Sequence, residues 1–507
     1  MPDRLRPWLT PLALAIAGVA LHLSCGDRYG VFRDELYFVA CGKRLAWSYV
    51  DQPPLIAVVA RLAWWFSGEG RSVLLFRLPA VLAHAGTILL AAGLARQFGG
   101  GALAMAVAAA ATLASVVQLA EGHLLTMNAF EILLWSAVAL ASLQAAGGQP
   151  RRWPLAGALL GLSLLTKYSA AFLAAGLLLG LLATTSRREL RSAWLWAGVG
   201  LAALLASPAL HWQWSHGLPF LELAENGRRY KNASLSAGQF LGALVLEQGL
   251  LGLPLGLAGL GALLLHRGLA PARFLGVCAG LIAVTLVVLD GKPYYLAPLF
   301  PALFAGGGVA LERWLPALRP WRWAPVGLLL AAGLPGLPMA IPLLGPGELV
   351  TWQRWLGISA PRLERSHTAP IPQHFADQLG WEERVEAVAA AWRELAPEER
   401  SRALIFTTNY GRAAAIELLG ARRGLPQPIS GHNQYFLWGL PPGEHDIVLA
   451  VGGRAEDHAR TFAEVRVVGR TPVIPFGLPY ESDVPIFLLK ILKRPLATAF
   501  EGAKSYQ

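Results

Sequence analysis

The groups that could do chemistry in this 507-residue chain are few, and most sit in loops between long apolar runs. Arg33-Asp34-Glu35 puts two neighbouring carboxylates just beyond the first such run. A carboxylate there either caps a helix in water or takes a proton from a hydroxyl. Lys167 and Tyr168 interrupt an apolar stretch of about thirty residues, where an ionisable group costs on the order of 3 kcal/mol and so faces a polar cavity or snorkels to an interface. Lys292, followed by Tyr294 and Tyr295, ends another run and reads as an interfacial anchor or an anion ligand. Arg228-Arg229-Tyr230-Lys231 concentrates positive charge in one loop, which suits a lipid phosphate better than a topological signal.

Asp51 and Gln52 precede the helix-breaking Pro53-Pro54, and Glu121, His123, Asn128 and Glu131 surround a further turn. Asn128 and Glu131 are one helical turn apart and can face one cavity. A lone Glu–His pair is a weak metal signal, so neither a metal nor another cofactor is expected. Carboxylate and cations together suit transfer of a group from a lipid phosphate. The carboxylate would deprotonate an acceptor hydroxyl, and the cations would stabilise the departing phosphate. A monophosphate carries less charge than a diphosphate, so Arg and Lys can stand in for a divalent metal.

The elements that must position these groups follow from composition and patterning. The chain is 55% hydrophobic and only 15% charged, against about 25% charged for a soluble domain. Its net charge of +11 lies in short clusters between apolar runs, not in a basic stripe with interleaved aromatics, so nucleic acid is not expected as a partner. Runs near 8–24, 73–95, 99–118, 128–146, 153–166, 169–184, 193–211, 239–265, 274–290, 296–311 and 323–344 predict a polytopic α-helical membrane protein with about eleven transmembrane helices. A turn at Thr166-Lys167-Tyr168 separates the two short central runs.

With the N-terminus cytoplasmic, Arg96, Arg151 with Arg152, Arg187-Arg188 with Arg191, Arg267 with Arg273, and Arg313, Arg319 and Arg322 all fall on the cytoplasmic side. The loops carrying Asp34, Lys167, Lys292 and residues 228–231 fall on the other side. The first run, after Arg4 and Arg6, reads as an uncleaved signal anchor in a cell (inner) membrane. Cys25 and Cys41 share the first outer loop and could pair there, whereas Cys278 reads as a packed apolar side chain. That loop also holds two amphipathic stretches, Leu36–Trp47 and Leu55–Phe66, suited to the membrane interface.

From about residue 345 the texture becomes charged. Helices over Glu382–Leu395, Arg412–Arg422 and Glu456–Glu464 alternate with strands over Ala403–Thr408, Asp446–Val451 and Val484–Lys490, which predicts a small extracytoplasmic α/β domain. The division is thus 1–344 for the membrane part and 345–507 for the soluble part. Gly452-Gly453 reads as a plain turn.

Four short segments resemble one known family: Phe32-Arg33-Asp34-Glu35-Leu36-Tyr37-Phe38, Tyr49-Val50-Asp51-Gln52-Pro53-Pro54-Leu55, Gly161–Tyr168 and Gly291–Leu299. They are similar to bacterial members of glycosyltransferase family 39, the protein-O-mannosyltransferase-like group, whose fold is called GT-C. Ser430-Gly431-His432-Asn433-Gln434-Tyr435 and Trp438-Gly439 resemble the tails of the same relatives. The resemblance implies an extracytoplasmic, inverting transfer of sugar from a polyprenyl phosphate. It implies Asp34 as catalytic acidic residue with Glu35 beside it, and Lys167, Lys292, Arg228 or Arg229 as phosphate ligands, with Tyr294 and Tyr295 near them. Asp51, Gln52, Glu121, His123, Asn128, Glu131 and Tyr168 are expected to support the site or the acceptor. Many relatives carry aspartate where this chain has Asn128, so a second acidic role would pass to Glu121 or Glu131.

The expected partners are therefore a polyprenyl-phosphate sugar, membrane lipids, and an acceptor that is protein, lipid or glycan. A transporter or lipid flippase is the competing reading. It would more naturally show paired repeats with matching helix breaks, which the sequence lacks.

Overall fold

The computed structural model describes residues 5–233, 235–314, 321–359, 364–365 and 368–507. Arg4 and Arg319 of the charge pattern lie outside these residues. The chain is a multi-pass membrane protein: a large helical part is followed by a five-stranded sheet domain. Each apolar run read from the sequence is helical. Among the described residues six helices are long and apolar enough to cross a bilayer, or nine if each of three bent pairs counts as one span. The other two runs form the shorter helices Trp153–Leu164 and Ala324–Gly333, the latter continued by one short turn. Leu265, Trp214 and Val288 are about three-quarters exposed, a face that lipid covers.

Two of the bent pairs depart from the simple spans. The run 239–265 is two helices, Ala237–Gln248 and Gly252–Leu265, set at 100°. The run 99–118 becomes Ala102–Ala114 and Val116–His123, set at 64°. Gly249, at φ +83°, allows the first break. The breaks brace one another, because the Ser115 hydroxyl donates to the Glu247 carbonyl at 3.2 Å and to Gln248 Oε1 at 3.1 Å. A hydropathy pattern records apolarity, not direction, so such bends are silent in it.

Charged turns gather at the end of the molecule away from Asp34. Gly101 N–H donates to Glu312 at 2.6 Å, and Arg313 lies 3.1 Å from His266. Trp153 donates to Glu189, and Arg151 sits over the Trp194 ring. These contacts join the turns at that end to one another. Cys25, Cys41 and Cys278 are all buried free thiols, so the possible Cys25–Cys41 pairing is not formed.

The first long loop folds as helices Arg33–Lys43 and Leu55–Phe66. Ala57, Ala60 and Ala63 face inward while Leu62, Trp65 and Phe66 face out, the amphipathic division expected at an interface. Arg33–Lys43 packs against helix Tyr410–Leu419 of the C-terminal domain, and both contribute to one apolar cluster with Leu36, Ala40, Ala413 and Ile416. Burying Leu36 and Ile416 contributes about 1.5–3 kcal/mol each, and the small Ala40 and Ala413 let the helices approach, which seats the domain on the loop.

The sheet comprises β1 (Ala403–Thr407), β2 (Ile429–Ser430), β3 (Ile447–Val451), β4 (Phe462–Arg470) and β5 (Pro485–Leu492), in the order β2-β1-β3-β5-β4. The first three are parallel, and β5 runs antiparallel to β3 and β4. The helix expected over 456–464 is corrected: only Ala455–Ala459 is helical, and Phe462 begins β4. β4 is an edge strand with exposed Glu464 and Arg466 and a register shift at Val467–Gly469, so its polar sequence hides its extended geometry.

Candidate active site

A cavity of about 1030 Å³ opens between the helical part and the C-terminal domain. Asp34, in the first turn of Arg33–Lys43, is on its wall with its side chain 31% exposed. The Tyr410 hydroxyl donates to Asp34 Oδ1 at 2.8 Å, and Arg33 Nε stands 3.4 Å from the same oxygen. Tyr410 opens a helix whose N-cap is Asn409, so a local capping signal fixes the position of a partner that reaches Asp34 from far along the chain.

Glu35, the other carboxylate of the pair, has a different place. It is fully buried, grips Arg77 through two bonds of 2.8 Å, and accepts from the N–H groups of Phe32 and Leu125. It is absent from the cavity wall, and a helix explains why: consecutive residues point about 100° apart.

Lys167 lies in the break between helices Trp153–Leu164 and Ala170–Leu182 and reaches into the cavity. Its ammonium donates to Asn128 Oδ1 at 2.8 Å and Glu131 Oε2 at 2.9 Å, and it sits 5.0 Å from the Tyr295 ring centre and 5.9 Å from that of Tyr294. Ser169 donates to the other Glu131 oxygen. The lysine charge is thus matched by one carboxylate. Asn128, where an aspartate was the family expectation, acts as a neutral acceptor.

Lys292 presents a different balance. Its ammonium is 2.9 Å from Glu364 Oε1, and that of Lys231 is 3.8 Å from the same atom. Two cations sharing one carboxylate leave a positive excess. Burial acts to raise the Glu364 carboxyl, but Lys231 and Lys292, with Arg33, draw it well below the usual carboxylate range. Of the neighbouring arginines, Arg228 reaches the cavity wall while Arg229 does not, and both are largely exposed and paired with Glu225.

Asp51 lines the cavity, accepting from the Tyr37 hydroxyl at 3.1 Å and facing Asn433 Nδ2 at 3.5 Å. Burial pushes its carboxyl up to about 7, against the Tyr37 hydrogen bond. Glu121 and Tyr168 are also on the wall; Glu121 accepts from Thr126, and the Tyr168 hydroxyl pairs with Ser48 at 2.6 Å. Gln52 is buried behind the wall, and His123 lies in a separate group with His22 and His84. His22 turns a different ring nitrogen to each partner, so the three do not converge on one point. Among the described residues no group of three or more His, Cys, Asp or Glu is arranged to hold a metal ion.

Sequence reasoning did not single out Tyr410, Asp377 or Glu364, all on the cavity wall. Each comes from the tail, where an isolated Tyr or acidic residue in charged sequence carries no signal. A smaller recess of about 440 Å³ at the ends of β1 and β3 is lined by Thr408, Arg412 and Gly452-Gly453, with Arg412 held by Glu481, and contains none of the expected site residues.

Residues 51–212 match the family model described as dolichyl-phosphate-mannose-protein mannosyltransferase. The chain aligns with the crystal structure of ArnT from Cupriavidus metallidurans bound to undecaprenyl phosphate, at a TM-score of 0.58 and 16% identity, covering 94% of this chain and 97% of that one. The chain resembles the protein-O-mannosyltransferase-like family and has the GT-C fold. ArnT in the apo state gives a TM-score of 0.57 over the same shares, again at 16% identity. The archaeal oligosaccharyltransferase AglB from Archaeoglobus fulgidus, in complex with an inhibitory peptide and a dolichol-phosphate, gives 0.51 at 12% identity over 89% of this GT-C chain and 70% of its own. No curated protein matches the sequence.

Proposed function

We propose that the protein is an inverting glycosyltransferase that moves a sugar from a polyprenyl phosphate to an acceptor outside the cytoplasm. The observation that carries this reading is the partly exposed Asp34 carboxylate on the wall of the same cavity as the Lys231–Lys292 pair. The resemblance of residues 51–212 to a mannosyltransferase family, and of the fold to structures holding undecaprenyl phosphate and dolichol-phosphate, supports it.

Asp34 takes the proton of an acceptor hydroxyl as that oxygen attacks the anomeric carbon. The bond from this carbon to the phosphate oxygen breaks, and its electron pair leaves with the polyprenyl phosphate. A single displacement inverts the anomeric centre. Lys231 and Lys292 meet the charge growing on the phosphate. Lys167, neutralised by Glu131, serves more to shape the wall beside Tyr294 and Tyr295. In this reading the cavity and the C-terminal domain face away from the cytoplasm, because the arginine-rich turns lie at the opposite end.

The test is transfer of labelled sugar by purified Asp34→Asn protein. Loss of a general base lowers turnover by about 10²–10⁴-fold. Binding of undecaprenyl phosphate should persist, and turnover like that of the wild type would remove Asp34 from this role.

A further inference from the structure

Among the side chains that the C-terminal domain lends the cavity, Tyr410, Asn433 and Asp377 differ in their hydrogen-bonding states. The Tyr410 hydroxyl is engaged with Asp34, and Asn433 is engaged with Asp51 and the Gln507 N–H. Asp377 is otherwise. Its side chain is 1% exposed and lies on the cavity wall, yet neither carboxylate oxygen accepts a hydrogen bond. Arg33 Nη1 stands 3.4 Å from Oδ1 as an ion-pair neighbour, but that nitrogen is directed to the Tyr480 hydroxyl at 2.8 Å.

Leaving a buried acceptor unsatisfied costs about 1–3 kcal/mol, so a carboxylate kept in this state beside a cavity is suited to donors that a ligand brings. Position narrows the ligand. Gln373 donates to Glu364 at 2.9 Å, and its carbonyl accepts from the Asp377 N–H at 2.9 Å. Arg33 then joins Asp377 to Asp34. Asp377 therefore stands between the lysines that would hold the phosphate and the carboxylate that would activate the acceptor. A donor sugar must occupy that interval. The nearby negative charges of Asp34 and Glu364 disfavour an anion there, whereas sugar hydroxyls are neutral donors, and two adjacent ones match the two oxygens of a carboxylate.

We propose that Asp377 binds neighbouring hydroxyls of the donor sugar, making the C-terminal domain part of the donor site. This rests on the glycosyltransferase reading above. The experiment measures binding of bare undecaprenyl phosphate and of its mannosyl, glucosyl, galactosyl and arabinosyl derivatives to the full-length protein in lipid nanodiscs. The wild type should bind at least one glycosyl lipid more tightly than the bare lipid. Asp377→Ala should erase that advantage, about tenfold, and leave bare-lipid binding unchanged, while Asp377→Asn, which keeps the shape, should lose only part of it.

The proposal is overturned if the advantage survives in Asp377→Ala, if both variants weaken bare and glycosyl lipids equally, or if no glycosyl lipid outbinds the bare one. Failure of the wild type to bind undecaprenyl phosphate at all would instead remove the polyprenyl-phosphate reading on which the proposal stands.

Discussion

Glu35 and Arg77 form a two-pronged ion pair with both side chains essentially sealed from solvent. The pair is a junction. Arg77 also donates to the carbonyls of Gly26 and Gly30 and to Gln378, and Glu35 accepts from Leu125 N–H. It ties the first loop, helix Val73–Gln97, the turn before Met127 and the C-terminal domain together. Removing one partner strands a buried charge, at a cost of about 3–5 kcal/mol. Arg77→Met and Glu35→Gln should each lower the thermal midpoint of the purified protein markedly. The double variant Glu35→Leu/Arg77→Met should recover part of the loss. Midpoints unchanged from wild type would deny the pair this role.

The Tyr410–Asp34 bond gives a second prediction. Tyr410→Phe removes one donor to a carboxylate without changing the shape of the wall. That hydrogen bond holds the Asp34 carboxylate in its orientation, so kcat should fall by about tenfold as the base loses its alignment. Donor KM should change little, and steady-state kinetics with labelled donor would separate the two.

Glu364 is paired with Lys231 and Lys292, so in the proposed reaction it would compete with the donor phosphate for them. Glu364→Gln should strengthen binding of undecaprenyl phosphate by about tenfold, or about 1.4 kcal/mol, and Lys292→Ala should weaken it. Because the lysines hold the Glu364 carboxyl below its ordinary range, its ion pairing is fully present above about pH 4.3 and is lost only as pH falls further. The affinity ratio of variant to wild type should therefore stay flat from pH 5 to 8 in a titration series.

Asp51 titrates in the opposite sense. Burial raises its folded-state value to about 7, above the ordinary value near 4. Between these values the unfolded chain has lost a proton that the folded protein keeps, so this group lowers stability as pH rises and its penalty is complete above pH 7. Asp51→Asn should match the wild type near pH 4 and melt a few degrees higher at pH 8, about 2–4 °C. A constant difference across that range would contradict the assignment.

The chain's sequence disclosed Asp34, Lys167 and Lys292 because each breaks an apolar or amphipathic pattern, and a break in such a pattern has an energetic cause. It could not separate Asp34 from Glu35. Their roles depend on which way each side chain leaves one helical turn and on Arg77, 42 positions beyond Glu35. Lys231 was visible only as one of three charges in a cluster; its distinction from Arg228 and Arg229 comes from Glu364, more than a hundred positions later. The bends at Ser115 and Gly249, and the edge strand β4, were hidden because hydropathy and charge say little about the direction of the chain.

The seating of the C-terminal domain on Arg33–Lys43 has a consequence for how the molecule is made. Asp34 leaves the ribosome early, but the side chains that enclose it, Asp377, Tyr410 and Asn433, come hundreds of residues later. A nascent chain with its helices already in the bilayer thus carries an unfinished cavity. Completion of the cavity therefore waits for the tail to reach the same side and dock, so the last third of the chain sets when the pocket closes around Asp34.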